Sequence, residues 1–287
     1  MTIKNWINYK KKSFFSNIKN KNLYVKLKIF EAILDFIIKK YFYIKVINKI
    51  EFKKFSQNGE DGVLKYIFCK LKLNKINSLE IGFDPLENNS IYNIFILKNK
   101  SKLNFFVEMD RKKCLILKGL SNIFSSSLGK NLHVINKKIT TKNINKFVFK
   151  KFKKLEIDLF SIDIDGLDYH VLKKINFSPK VIIVEYNKYF QNNPISIVND
   201  PKHKWNGRGD LYWGASIASM TSLLDKKGYF LAYLECSFVN AFFIKKNYLH
   251  LFNKKDFSKE MMKATNNKYS YYKQSDSLKG KKFLITN

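Results

Sequence analysis

LEIDLFSIDIDGLDYHVLKKINFSPKVIIVEYN, residues Leu155 to Asn187, is the stretch from which the fold is read. Ile157 to Ile164 is an apolar run with acids at its C-terminal end, the mark of a buried strand that reaches a polar rim. Asp165-Gly166 is a turn signal, Asp168 to Ile175 suits a short helix, and Pro179 stops it. Lys180 to Tyr186 then reads as a second strand. Its core, Val181-Ile182-Ile183-Val184, is four consecutive β-branched residues, as expected of a strand covered on both faces in a parallel sheet. Strand, helix, strand in this order implies a right-handed crossover and a doubly wound, mostly parallel α/β sheet.

The same alternation extends outward. Upstream, strands are expected at Ser78–Ile81, Asn104–Met109 and His133–Ile139, with helices at Ile91–Asn99, Arg111–Leu120 and Lys142–Phe152. Before them, Gly59 and Gly62 break the chain, and a helix from Asp61 or Gly62 to Leu71 follows, with Asp61 placed to cap it. Downstream, residues 188–213 form a long loop of the kind used as a lid or binding loop. A helix at Gly214–Lys227 and strands at Tyr229–Glu235 and Ala241–Ile244 complete the pattern, the last two as an antiparallel edge. Residues 51–250 thus read as one α/β domain. Residues 1–50 read as a basic, helical, amphipathic extension, because Leu27, Phe30, Leu34, Ile37, Tyr41 and Ile44 recur at helical spacing between Tyr24 and Ile50. That helix can dock on the domain, bind a partner or lie on an anionic membrane, with Lys26, Lys28, Lys39 and Lys40 as its wetter flanks. Residues 251–287 read as a basic, partly helical and loosely attached tail.

The 287 residues include 54 Lys and Arg against 23 Asp and Glu, a net charge of +31. Only Arg111 and Arg208 are arginines. Sites that read phosphate or base edges favour the rigid arginine fork, so no specific nucleic-acid partner is expected and weak, salt-sensitive polyanion binding is. Cys69, Cys114 and Cys236 are odd in number and far apart, which suits a reducing compartment and a cytoplasmic protein, with a peripheral place at the inner membrane face open to it. With four isolated histidines and no Cys pair, a zinc site is not expected. No signal peptide or membrane-spanning helix is expected either.

In an open α/β sheet the ligand lies outside the carboxyl ends of the strands. Those ends carry Glu80 and Gly82, Glu108 and Asp110, Asp163 and Asp165, then Glu185 and Asn187. Glu108 is placed to accept hydrogen bonds from a ribose diol. Asp163 and Asp165, two apart, face one side of an ideal strand. With Asp168 they can share a proton, hold a divalent cation or serve turn chemistry. The loop Gly82 to Ser90 has no second glycine, and Phe83, Pro85 and Leu86 crowd it. Trp205, Asn206, Gly207, Arg208 and Asp210 can form a substrate loop, with Arg208 binding an anionic group. Asn240 stands between the last two strands.

Six blocks keep their order across about 190 residues: FSQNGEDG (55–62), LEIG (79–82), FSIDIDGLDY (160–169), VEYN (184–187), YWGAS (212–216) and VNAFF (239–243). On these blocks the chain resembles the FkbM-type methyltransferases, in particular the bacterial branch found near surface-polysaccharide genes. It departs from that pattern in the cofactor loop at Pro85, Leu86, Glu87 and Ile91, and at His170. The resemblance implies a class I methyltransferase-like, Rossmann-like fold with S-adenosylmethionine as cofactor. It implies cofactor binding by Glu80, Gly82, Glu108 and Asp163, and methyl transfer to a hydroxyl of a sugar or related small molecule. Candidate catalytic groups are Asp163, Asp165 and Glu185. Candidate acceptor-binding residues are Asn187, Trp205, Arg208, Asp210 and Asn240. The alternative is an inactive relative that binds a glycan or an anionic surface.

Overall fold

The structure is a computed structural model that describes residues 21–41, 43–96, 103–124, 132–153, 155–190, 193–207, 209–252, 278 and 280–286. Its centre is a seven-stranded sheet: β1 (Asn77–Ile81), β2 (Leu103–Glu108), β3 (Leu132–Asn136), β4 (Leu159–Ile162), β5 (Val181–Glu185), β6 (Tyr229–Leu234) and β7 (Asn240–Lys245). The strand order is β3-β2-β1-β4-β5-β7-β6. The first five are parallel, and β7 runs antiparallel between β5 and β6. This is the order of a class I methyltransferase-like sheet. Order reverses at β1 and β4, which start in the middle and wind outward, so a crevice opens above their carboxyl ends.

Among the described residues, seven α-helices flank the sheet: α1 (Lys21–Tyr41), α2 (Glu60–Lys70), α3 (Ile91–Ile96), α4 (Arg111–Ile123), α5 (Ile144–Phe152), α6 (Asp168–Lys174) and α7 (Ile217–Lys226). The pleat divides the strand residues between two layers. Ile182 and Val184 of β5 join one core with α5, α6 and α7, while Val181 and Ile183 join another with α2. That division explains the run of four β-branched residues. A third cluster packs Phe106 of β2 with Phe83, α1 and α4.

Three local expectations are corrected. The N-terminal helix stops at Tyr41 rather than Ile50. Asn48 accepts from the backbone N–H of Ile50 and Glu51, at 2.8 and 2.7 Å, and so makes a side-chain turn that competes with helix. A two-residue hairpin follows, pairing Lys45–Val46 with Phe52–Lys53. Second, Asp61 does not cap α2. Its carboxylate accepts from the backbone of Lys54, Phe55 and Ser56, pinning the strand end that leads into the helix. Gly62 lies inside α2, where a Cβ would stand 2.1 Å from the Ile50 carbonyl oxygen. The helix is continuous there because glycine lets the hairpin approach. Third, the end of the chain is attached. Phe283–Ile285 pairs antiparallel with Ile195–Ile197, and Thr286 Oγ1 meets Ser219 Oγ at 2.6 Å. Most of the expected tail, residues 253–277, lies outside the described residues.

Lys39, expected on a wet flank of α1, points inward. Its Nζ pairs with Asp35 at 2.8 Å and donates to the Leu86 carbonyl at 2.6 Å. No described helix is long and apolar enough to cross a membrane.

Candidate functional site

A cavity of about 450 Å³ opens above the carboxyl ends of β1, β2 and β4. Glu80, Gly82, Glu108, Asp163 and Asp165 line it, together with Asn240 from the start of β7. Strand ends produce this gathering directly: β1 and β2 are in register from Asn77 opposite Leu103 to Ile81 opposite Val107, and β4 continues the same edge.

Gly82 follows β1 with φ +80°. A Cβ there would lie 1.5 Å from the Asp163 carbonyl oxygen, so the turn and the β4 end touch backbone to backbone. The loop beyond it closes without a second glycine. Asp84 Oδ1 accepts from Leu86 N, Asn88 Oδ1 accepts from Ile91 N and so starts α3, and Asn89 N donates to Glu80 Oε1 at 2.9 Å. The crowding expected from Phe83 and Leu86 does not reach the cavity. Phe83 is buried edge-on against Phe106, and Leu86 packs into the same cluster under α1.

Burial dominates the electrostatics. It pushes the Glu80 carboxyl up to about 7, opposed by hydrogen bonds from Ser90 and Asn89. It raises Glu108 too, although Glu108 Oε1 accepts from Asp110 N at 2.7 Å. Asp163 rises to about 8, through burial first and then through the charges of Asp168 and Asp165. Glu185, one strand over, is raised well above the usual range by burial and then by Asp163. One oxygen each of Asp163, Asp165 and Glu185 lies within 4.8 Å of the others. Such a cluster can share a proton or hold a cation. Its closeness comes from the turn, not from strand parity. Strand β4 ends at Ile162, Asp165 has φ +54°, and the Asp168 carboxylate closes the loop by accepting from Ile164 N and Gly166 N.

Other expected contacts are elsewhere. Glu185 does not line the cavity but stands behind Asp163. Asn187 is fully buried, and its amide donates to the Leu211 and Trp213 carbonyls, fastening both ends of the 188–213 loop. Trp205 Nε1 donates to the Asp210 carbonyl, and the Asp210 carboxylate accepts from Asn206 and Tyr212, so both residues serve the loop itself. Neither lines the cavity. Arg208 lies outside the described residues. The same loop instead contributes Asn199, Pro201 and His203, and the segment after β3 contributes Lys138, Thr140 and Thr141. Sequence spacing carried no signal for these, because they converge from distant segments. Gln57 of the early motif also reaches the lining. Its neighbour Glu60 holds Asn240, whose Nδ2 donates to Glu60 Oε1 at 2.8 Å. Asn240 itself sits opposite Glu185 across β7 and β5.

A family model described as the methyltransferase FkbM domain matches residues 57–231. No curated protein matches the sequence. Among solved structures, the chain is similar to magnesium protoporphyrin IX methyltransferase from Synechocystis PCC 6803 with bound SAH. Identity there is 10%, coverage is 65% of this chain and 81% of that one, and the TM-score is 0.40. A S-adenosylmethionine-dependent methyltransferase from Clostridium acetobutylicum ATCC 824 is similar at 12% identity, with 75% and 97% covered and a TM-score of 0.41. TrmK of M. capricolum, in complex with S-adenosyl-homocysteine, is similar at 16% identity, with 69% and 73% covered and a TM-score of 0.37.

Proposed function

Because the chain belongs to the FkbM methyltransferase domain family, we propose that it transfers a methyl group from S-adenosylmethionine to a hydroxyl of a sugar or related small molecule. The observation that carries this reading is the cavity, with Glu80, Gly82, Glu108 and Asp163 on a single lining. Its volume of about 450 Å³ falls in the range of small-molecule sites, so the residues present fit such a cofactor.

In this reading Glu80 and Gly82 border the cofactor, Glu108 holds the ribose diol and Asp163 stands at the methionine end. When bound, S-adenosylmethionine supplies an electrophilic methyl group. The chain's own work is to orient the acceptor and take its proton. Asp163 and Glu185 are raised together, so a single proton is readily held between them, and the ionised partner can accept another from an acceptor hydroxyl. Asp165 borders the same space. Asn240 lines the cavity with its amide nitrogen donating to Glu60, and in this reading its side-chain oxygen accepts from an acceptor hydroxyl. Thr140, Thr141 and Asn199 on the lining suit a hydroxyl-rich acceptor, which supports a sugar and agrees with the polysaccharide-associated branch that the sequence resembles. Three free thiols support a reducing, cytoplasmic setting.

The test is calorimetric titration of the full chain with S-adenosylmethionine and S-adenosylhomocysteine. Gly82 is a poor probe, since any side chain there meets the Asp163 backbone. Glu108→Gln is better: the fold should melt as wild type does, while cofactor affinity falls about tenfold to a hundredfold, the worth of hydrogen bonds to a charged group. No saturable binding of either compound at about 1 mM, roughly −4 kcal/mol, sinks the reading. With binding established, S-adenosylhomocysteine release against a panel of monosaccharides and nucleotide sugars tests the acceptor class.

A further inference from the structure

Helix α1 is apolar on two opposite faces. Ile29, Ala32 and Phe36 form one face and pack into the cluster shared with α4. On the other side Phe30, Leu34, Ile38 and Tyr41 recur at steps of four, four and three, and stand 59%, 47%, 53% and 64% exposed. The chain carries this character past the helix end, where Ile44 and Val46 are 56% and 70% exposed. Single exposed apolar residues are ordinary, whereas a continuous stripe of large ones marks a surface that is covered in use.

The charges say by what. Both acids of α1 are already paired, Glu31 with Lys28 at 2.7 Å and Asp35 with Lys39 at 2.8 Å. Lys26, Lys45 and Lys49 are exposed in the same segment and make no salt bridge among the described residues. An apolar stripe accompanied by unpaired lysines complements a surface that is negative outside and apolar beneath. A second copy of this chain would set the same lysines against themselves, in molecules of net charge +31. A nucleic acid would answer the lysines but offer no apolar layer to the stripe. We propose that α1 and the turn that follows it lie in the plane of an anionic lipid surface, with Phe30, Leu34, Ile38 and Tyr41 entering the boundary between headgroups and acyl chains. The inference stands independently of methyl transfer.

The experiment is flotation of the full chain with vesicles of phosphatidylcholine alone and of phosphatidylcholine with about 30% phosphatidylglycerol. Near 0.1 M salt the protein should float with the anionic vesicles and stay behind with the neutral ones. Raising salt to about 0.5 M should weaken binding several-fold, since the Debye length shrinks below the reach of the lysines. The variant Phe30→Ser/Leu34→Ser/Ile38→Ser keeps every lysine and alters only exposed positions. It should melt as wild type does and bind anionic vesicles at least tenfold less. Equal flotation of the variant overturns the proposal, because charge alone would then account for binding. So does absence of flotation, and a dimer seen by light scattering that the variant abolishes would then identify a second copy as the occupant.

Discussion

Asp163 ionises against its surroundings: burial, Asp168 and Asp165 all favour its protonated form, and its carboxyl is held up near 8. In the unfolded chain the same group releases its proton near 4. Between those values the folded state holds more protons than the unfolded one. The stability from this group is therefore complete below about pH 4 and is lost as pH climbs toward 8. Asp163→Asn should flatten that slope. Unfolding free energies from urea titrations at pH 5 and pH 8 are expected to differ for wild type by about 1 kcal/mol more than for the variant, a value kept low because the side chain is only half-buried. Identical slopes would mean that Asp163 and Glu185 do not hold a proton in common. At this scale the sequence showed which acids close the strands, because a carboxylate after an apolar run has nowhere else to go. It did not show that Asp168 spends its carboxylate on the backbone of Ile164 and Gly166, or that the Asp210 and Asn187 side chains are consumed inside their own loop. Such hydrogen bonds depend on how a turn closes, not on residue type.

At the scale of elements, the loop from Phe83 to Ser90 depends on its neighbours for its shape. Lys39 of α1 reaches the Leu86 carbonyl, Lys53 of the hairpin pairs with Glu87 at 2.8 Å, and Asn88 N donates to the Phe55 carbonyl. The N-terminal segment therefore braces the loop that borders the cavity. Lys39→Met keeps most of the apolar stem and removes the cation. It is expected to cost about 1–3 kcal/mol of stability by leaving the Leu86 carbonyl and Asp35 without that donor. It should also weaken S-adenosylmethionine binding several-fold in the same titration. Unchanged affinity with lowered stability would confine Lys39 to packing. The period of α1 was legible in the sequence, but its inward face was not. A helix with apolar residues on two sides offers two candidate faces, and only the partner surface chooses between them.

For the whole molecule, the strand order places the ligand cavity, and the chain end closes the side that holds the 188–213 loop. Phe283 lies against Phe190 and Tyr212 at ring distances of 5.6 and 5.4 Å, and Tyr212 Oη donates to the Lys282 carbonyl at 2.6 Å. Removing residues 278–287 should expose part of that small core and lower stability by about 1–3 kcal/mol, the order of burying one large apolar side chain. Limited proteolysis should then cut first within 188–213. Asp163, Glu80 and Glu108 lie outside that region, so cofactor affinity should change little. If proteolysis of this loop does not accelerate, the terminal strand is not what holds it.

The alternation of apolar strands with helical periods, and the acids that end those strands, were determined by the sequence alone. Both are local patterns set by the side-chain repeat of two in a strand and 3.6 in a helix. Only the tertiary structure decided that Glu60 grips Asn240, that Glu185 stands behind Asp163, and that His203 and Thr140 share a cavity wall. These pairs join segments tens to nearly two hundred residues apart, and a contact at that separation exists only once the sheet has set its strands side by side.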